Sequence, residues 1–264
     1  MQVHHLNCGV MRPYGGAYMD GQTAGMGPAT LACHCLLVET DAGPVLVDTG
    51  TVSTDPRFDR AHLDPLFQRA TRVRLDASEA AFNQLRKLGI APADVRHVIM
   101  THLDFDHAGG LRDFPGATVH LSSAEAYAAR HPTGALGRMR YCPPQWGDIG
   151  RWQRHEAFDT DWFGIPAAEV LPGISLVWLP GHTEGHCGVA IRTEDGWLLH
   201  AGDAVMHHRE LAAEPGTPTG ARLFQWAMEV SQTKRRRSLR DLRRVVREHG
   251  DEVQVICTHD PSQF

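Results

Sequence analysis

Apolar and polar positions alternate most clearly between Leu31 and Gly50, as LACHCLLVET, a polar turn at Asp41-Ala42-Gly43-Pro44, then VLVDTG. That pattern predicts a β-hairpin whose second strand ends in Asp48-Thr49-Gly50. The first thirty residues are glycine-rich without periodicity and predict an irregular arm with one short strand at most. Beyond the hairpin, SEAAFNQLRKL has helical spacing, with Ser78 as its cap and Gly89 as its stop. The strand VRHVIMTH, the loop THLDFDHAGG, the strand ATVHLS and a helix near AEAYAAR follow. Residues 131–168 carry Pro132, Pro143, Pro144 and Pro166 among Trp146, Trp152 and Trp162, and read as an excursion from the core, a lid or an interface. Regularity resumes with ISLVWLP, GVAIRT and GWLLHAGD as strands, helical segments near 221–230 and 232–248, and a last strand, VQVICTHD.

Mixed strands and helices in two comparable halves predict an α/β fold with helices covering sheet faces, and residues 1–264 read as a single domain. His102, His182, Asp203 and His259 all fall at the C-terminal ends of predicted strands. That rim is where open α/β folds gather their sites.

Composition narrows the function classes. The chain has 264 residues, 42% of them hydrophobic and 22% charged, as in an ordinary globular protein. No apolar run approaches about 18 residues, so no membrane association is expected. The N-terminus lacks the basic and apolar regions of a secretory leader, and a cytoplasmic protein is expected. Six scattered cysteines predict reduced thiols. Cys33 and Cys35 could form a metal clip, but they alternate with Leu37 along one strand face and read as buried strand residues. The net charge of −5 argues against nucleic acid as a partner, and Arg236, Arg240, Arg243 and Arg247 read as the solvated face of one helix.

The strongest chemical signal is a set of four separated stretches: HLDFDH at 102–107, GHTEGH at 181–186, AGDA at 201–204 and THD at 258–260. Imidazole and carboxylate donors suit zinc, iron or manganese. The set exceeds what one tetrahedral ion can use, whereas two ions sharing a bridging carboxylate would use all of it.

The ordered set VLVDTG, THxxxDHxGG, GHTxGH, a lone GD after a strand and a late strand ending in His-Asp resembles the metallo-β-lactamase-fold hydrolases, over about residues 31–264. The resemblance implies an αββα four-layer sandwich with an active site at one edge. The final THD, the block GHTEGHCGVAI and the length are similar to the N-acyl-homoserine-lactone lactonase branch. Carried over by motif position, His102 and His182 hold a first metal; Asp106, His107 and His259 hold a second; and Asp203 bridges them. Asp48 orients a ligand histidine, with His186 as a supporting residue.

Two positions depart from the pattern. The usual HxHxDH is HxDxDH here, with Asp104 in the middle, and Met206 stands where the lactonases carry a tyrosine three residues after the bridging aspartate. Two divalent ions set against Asp106, Asp203 and a hydroxide leave one net positive charge, and Asp104 as a ligand cancels it. That weakens the acidification of bound water and favours harder ions. The flavodiiron proteins carry a carboxylate at the matching position, with an added flavodoxin domain for which these 264 residues leave no length.

The resemblance thus implies two divalent metal ions, zinc first, with iron or manganese as alternatives. A metal-bridging hydroxide would attack a lactone or ester carbonyl, with Asp104 or Asp106 carrying a proton to the leaving group. Phosphoester hydrolysis and non-haem iron redox or dioxygen chemistry are the competing expectations. Met206, Phe224, Trp226 and Trp146 could wall an apolar pocket for a small-molecule substrate, or the aromatics could serve a homodimer interface.

Overall fold

The computed structural model describes residues 1–212 and 216–264. The first six strands, β1 (Gln2–Met11), β2 (Leu31–Thr40), β3 (Gly43–Val47), β4 (His97–Ile99), β5 (Thr118–Ser122) and β6 (Trp152–His155), form one sheet in that order. The second sheet runs β12-β11-β10-β9-β8-β7, made of β7 (Thr160–Trp162), β8 (Ile165–Leu171), β9 (Ile174–Trp178), β10 (Cys187–Arg192), β11 (Trp197–His200) and β12 (Val253–Ile256).

The sheets pack face to face through Leu36, Val38, Val45, Val47 and Ile99 on one side and Leu176, Val189, Ile191 and Ile256 on the other. The alternate residues Cys35, Leu37, Leu46 and Val98 point outward, into a core shared with Leu85 of the helix Ala81–Lys87. On the far side, Leu242 and Val245 of the helix Gln232–His249 cover Leu199 and Val255. Helix, sheet, sheet, helix is the four-layer αββα sandwich. It explains why LLV and VIM read as unbroken apolar runs, since strands covered on both faces need no polar alternation.

Three expectations change. The N-terminal segment is no irregular arm: β1 pairs antiparallel with β2 from Gln2↔Glu39 to Met11↔Leu31. Its alternation is masked by a register shift between Asn7 and Val10, where Gly9 adopts φ 127°. Residues 131–168 are part of both sheets, supplying the edge strands β6 and β7 and the start of β8. As edge strands, WQRH and TDW present mostly polar side chains and carry no hydrophobic period. Ser78 is not a cap; Asp76 accepts the Ser78 N–H at 2.9 Å to begin a short 3₁₀ turn, and the helix starts at Ala81.

In the helix Gln232–His249, Arg236, Arg240, Arg243 and Arg247 are exposed while Leu242 and Val245 are buried, as the pattern predicts. Among the described residues no helix is long and apolar enough to cross a membrane. All six cysteines are free and buried.

Candidate metal centre

Strand ends build the site. β3 runs into Asp48, β4 into Thr101 and His102, β11 into Asp203, and β12 into His259. After His102 the chain turns through Leu103 and Asp104 into the one-turn helix Phe105–Ala108, which carries Asp106 and His107. Gly109 closes that helix against the Gly50–Thr51 loop; a Cβ there would lie 2.3 Å from the Thr51 carbonyl, so the turn needs glycine.

The gathered side chains are all buried and within a few ångströms of one another. His182 Nε2 lies 3.0 Å and His102 Nε2 3.5 Å from Asp104 Oδ2. Asp203 stands in the middle: Oδ1 is 3.3 Å from His107 Nε2, and Oδ2 is 3.2 Å from His259 Nε2 and 3.5 Å from His182 Nε2. His259 Nε2 is also 3.5 Å from Asp106 Oδ2. One group, His102, Asp104 and His182, therefore adjoins another, Asp106, His107 and His259, with Asp203 between them.

Neighbouring groups fix the orientation of these donors. Asp48, in a left-handed conformation at φ 55°, accepts the Thr101 N–H at 2.8 Å, the Thr101 hydroxyl at 2.7 Å and His107 Nδ1–H at 2.8 Å. His107 is thereby held with Nε2 toward Asp203. His259 Nδ1 donates to the Ala32 carbonyl at 2.7 Å, leaving its Nε2 for the cluster. His186 has the supporting position expected of it. Its Nδ1 donates to the Leu179 carbonyl, and its Nε2 accepts the Asp203 backbone N–H at 3.0 Å.

Two further residues, without a motif to mark them, frame Asp104. Arg140, from the helix Gly134–Arg140, is fully buried with Nε 3.5 Å from Asp104 Oδ1. Its other nitrogens donate to the carbonyls of His182 and Met228. The guanidinium sets a positive charge beside the Asp104 carboxylate, one that the charge count made from the ligand motifs does not include. Glu125 accepts from Leu103 N–H, Tyr141 O–H, Thr183 O–H and Gly185 N–H, tying the loop of His102 and Asp104 to that of His182.

The electrostatics have the same shape. Burial opposes charge on Asp104, but Arg140, His102 and His182 outweigh it and hold its pKa well below the ordinary carboxylate value. Burial raises Asp106, with Asp203 and Asp104 adding to the rise against His107 and His259. Burial also opposes charge on His107, yet Asp203, Asp48 and Asp106 drive its pKa well above the usual imidazole value. His102 is lowered to about 4 by burial and by His107.

Several buried atoms in the cluster lack any hydrogen-bond partner: His102 Nε2, His107 Nε2, Asp104 Oδ1 and Asp203 Oδ1. Unpaired lone pairs and crowded carboxylates in one water-poor space fit divalent cations. Ligand atoms of His102, Asp104 and His182, of His102, His107 and Asp203, and of Cys33, Asp106 and His259 each lie within 4.8 Å of one another.

The expected apolar pocket is corrected in part. Trp146 belongs to the outer core, edge-on to Trp152, and Trp226 is 57% exposed on a cleft with Arg222 and Arg236. Neither walls the cluster. Phe224 packs with Phe67 and Phe105, and Met206 is buried with its N–H given to Glu210. A cavity of about 170 Å³ lies along His62, Leu63, Asp64, Phe67, Phe105, Arg138, Met139, Tyr141 and Cys142, none of them a donor of the cluster.

An αββα sandwich with imidazole and carboxylate donors converging at its strand ends defines the class of metal-dependent hydrolases built on this fold. The chain belongs to the metallo-beta-lactamase superfamily, whose family pattern matches residues 29–249. A probable metallo-hydrolase of Mycobacterium tuberculosis (strain ATCC 25618 / H37Rv) is 36% identical over 272 residues, covering 100% of this chain and 82% of its own length. An N-acyl homoserine lactonase of a Bacillus species is 31% identical over 164 residues, 62% of this chain and 60% of that protein. Among solved structures, an N-acyl homoserine lactone hydrolase with N-hexanoyl-L-homoserine at its catalytic metal centre superposes with a TM-score of 0.75, covering 99% of this chain and 94% of that one at 23% identity. At that identity the likeness concerns the fold.

Proposed function

We propose that the protein hydrolyses a lactone or ester, using two divalent ions at the buried cluster. The observation that carries this reading is the paired array around Asp203, with its unpartnered buried lone pairs. His102, Asp104 and His182 would hold one ion, Asp106, His107 and His259 the other, and Asp203 both. Bound there, the ions supply a water of lowered pKa and Lewis-acid polarisation of the carbonyl.

The chain's own residues do the rest. Asp48 and the Ala32 carbonyl keep the imidazoles in the tautomer that presents Nε2. Asp106, a carboxylate of the cluster 3.5 Å from His259 Nε2, is the group that takes a proton and returns it to the leaving oxygen. Phe67 and Phe105, packed edge to face, form the apolar layer behind the loop that carries Asp104 and Asp106.

The test is removal of metal with a chelator, reconstitution with zinc, manganese or iron, and assay against lactones and esters of graded chain length. Hydrolysis that is lost on chelation and restored by metal is expected, and the chain-length profile then defines the acyl group. A chelator-resistant enzyme, or one active on phosphoesters alone, would refute it. Iron in the protein as isolated, with dioxygen consumption and no hydrolysis, would move the assignment to redox chemistry.

A further inference from the structure

We propose that Cys33 is a thiolate ligand of the second ion, giving that ion sulfur beside the two imidazoles and the carboxylates, while the first ion has only nitrogen and oxygen. The proposal rests on the metal-centre reading above.

Cys33 and Cys35 occupy one face of β2, two residues apart, in different surroundings. Cys35 lies in the outer apolar core with Leu37, Leu46 and Leu85. Cys33, at the rim end of the strand, has its Sγ 2.9 Å from the Thr51 hydroxyl. That Sγ, an Asp106 carboxylate oxygen and a His259 ring nitrogen lie within 4.8 Å of one another, near enough for one ion to draw them together on metal–ligand bonds of about 2.0–2.3 Å. Ala32, which precedes the cysteine, accepts from His259 Nδ1, so the strand that delivers the sulfur also sets the ring facing it. His107 Nε2, fully buried and without a partner, points to Asp203 on the same side of the cluster.

The chemistry balances simply. The thiol forms a bond to the divalent ion and its proton leaves to solvent, a release that accompanies metal binding at thiol ligands generally. The Thr51 hydroxyl then donates to the sulfur. A thiolate also offsets the charge that Arg140 supplies, returning the loaded centre to neutrality. The two sites become chemically unlike: sulfur makes the second select zinc, cobalt or cadmium, and the Asp104 carboxylate leaves the first open to manganese or iron.

The experiment is to load metal-free protein with cobalt(II) and record its absorption. Visible ligand-field bands report occupancy, and an intense near-ultraviolet band reports cobalt–thiolate bonding. The sulfur band is expected in the wild type and in Cys35→Ser, and absent in Cys33→Val with the visible bands kept. Visible bands without a sulfur band in the wild type, or a sulfur band that persists in Cys33→Val, would overturn the proposal. If Cys33→Val does not fold, X-ray absorption of the zinc-loaded wild type decides: a sulfur scatterer near about 2.3 Å supports it, and a purely nitrogen and oxygen shell overturns it. Failure to bind cobalt at all refutes the metal centre and the ligand with it. A sulfur band without lactone or ester hydrolysis refutes only the substrate.

Discussion

The two halves of the cluster are held in opposite ways. Asp106, His107 and His259 are anchored from within the sheets, by Asp48 after β3 and by the Ala32 carbonyl on β2. His102, Asp104 and His182 are anchored from outside, by Arg140 and Glu125, which come from helices over the rim. The sheet-held half keeps the family's pattern, while the helix-held half is where this chain departs from it, at Asp104. Variation is cheaper where a replaced donor and its counter-charge can change together without disturbing a strand.

Removing Asp104 should therefore be the most damaging change. Asp104→Asn leaves the Arg140 guanidinium buried without its carboxylate, an expected cost of about 3–5 kcal/mol in the denaturation of metal-free protein. The double variant Asp104→Asn/Arg140→Met should recover part of that loss, the remainder staying with the unpaired carbonyls of His182 and Met228. If the single and double variants are equally stable, Arg140 is not the counter-charge. Glu125→Gln comes next. An amide cannot accept all four hydrogen bonds, and a loss of about 2–3 kcal/mol is expected, with metal affinity falling at both halves together. A fall at one half only would show the loops to be independent.

Asp48→Asn should act first on the sheet-held half, through His107 Nδ1, and more weakly on His102 through the Thr101 hydroxyl. It should weaken one of two bound ions by about 10–100-fold and the other by less, read by competition with a coloured chelator. The smallest effect lies away from the centre, on the histidines His97, His120 and His155 of β4, β5 and β6, linked ring to ring at 2.9 and 3.3 Å. Burial, His97 and His155 lower His120 to about 4. Its folded pKa lies below the unfolded value of 6.5, so the unfolded chain takes up the proton first and stability falls as pH drops from 6.5 toward 4. His120→Gln should remove about 1–2 kcal/mol of that acid sensitivity, after allowance for solvent screening. Denaturation curves at pH 7 and pH 5 would measure it.

The donors of both halves were legible, and the groups that hold the outer half were not. His102, His182, Asp203 and His259 stand in short motifs at strand ends, where residue type and position are tied to the same turn. Arg140 was not legible, because it ends a seven-residue helix inside a segment whose prolines and tryptophans hide its period. Glu125 sits three residues after Ser122, in the spacing of a helix cap, and Ser122 does accept the Glu125 N–H. Its carboxylate instead leaves the helix for two distant loops, which no local pattern specifies. β1 was lost to its bulge, and Trp146 and Trp226 were misplaced because aromatic content alone does not tell core from surface. Cys33 reads as an ordinary strand residue until the fold shows which end of β2 meets the ligands.

The Glu125 carboxylate also bears on when the centre comes into being. It receives Leu103 from a segment made early in synthesis and Thr183 and Gly185 from one made much later, with Asp203 and His259 later still. A nascent chain that has released only the first sheet exposes His102, Asp104, Asp106 and His107 with neither Asp203 nor Arg140's carbonyl partners in place. Such a fragment has part of a chelating surface but lacks the residues that complete the cluster. The centre is therefore assembled only once Asp203 and His259 have joined it, and an ion taken up before then has to be one that can still be exchanged.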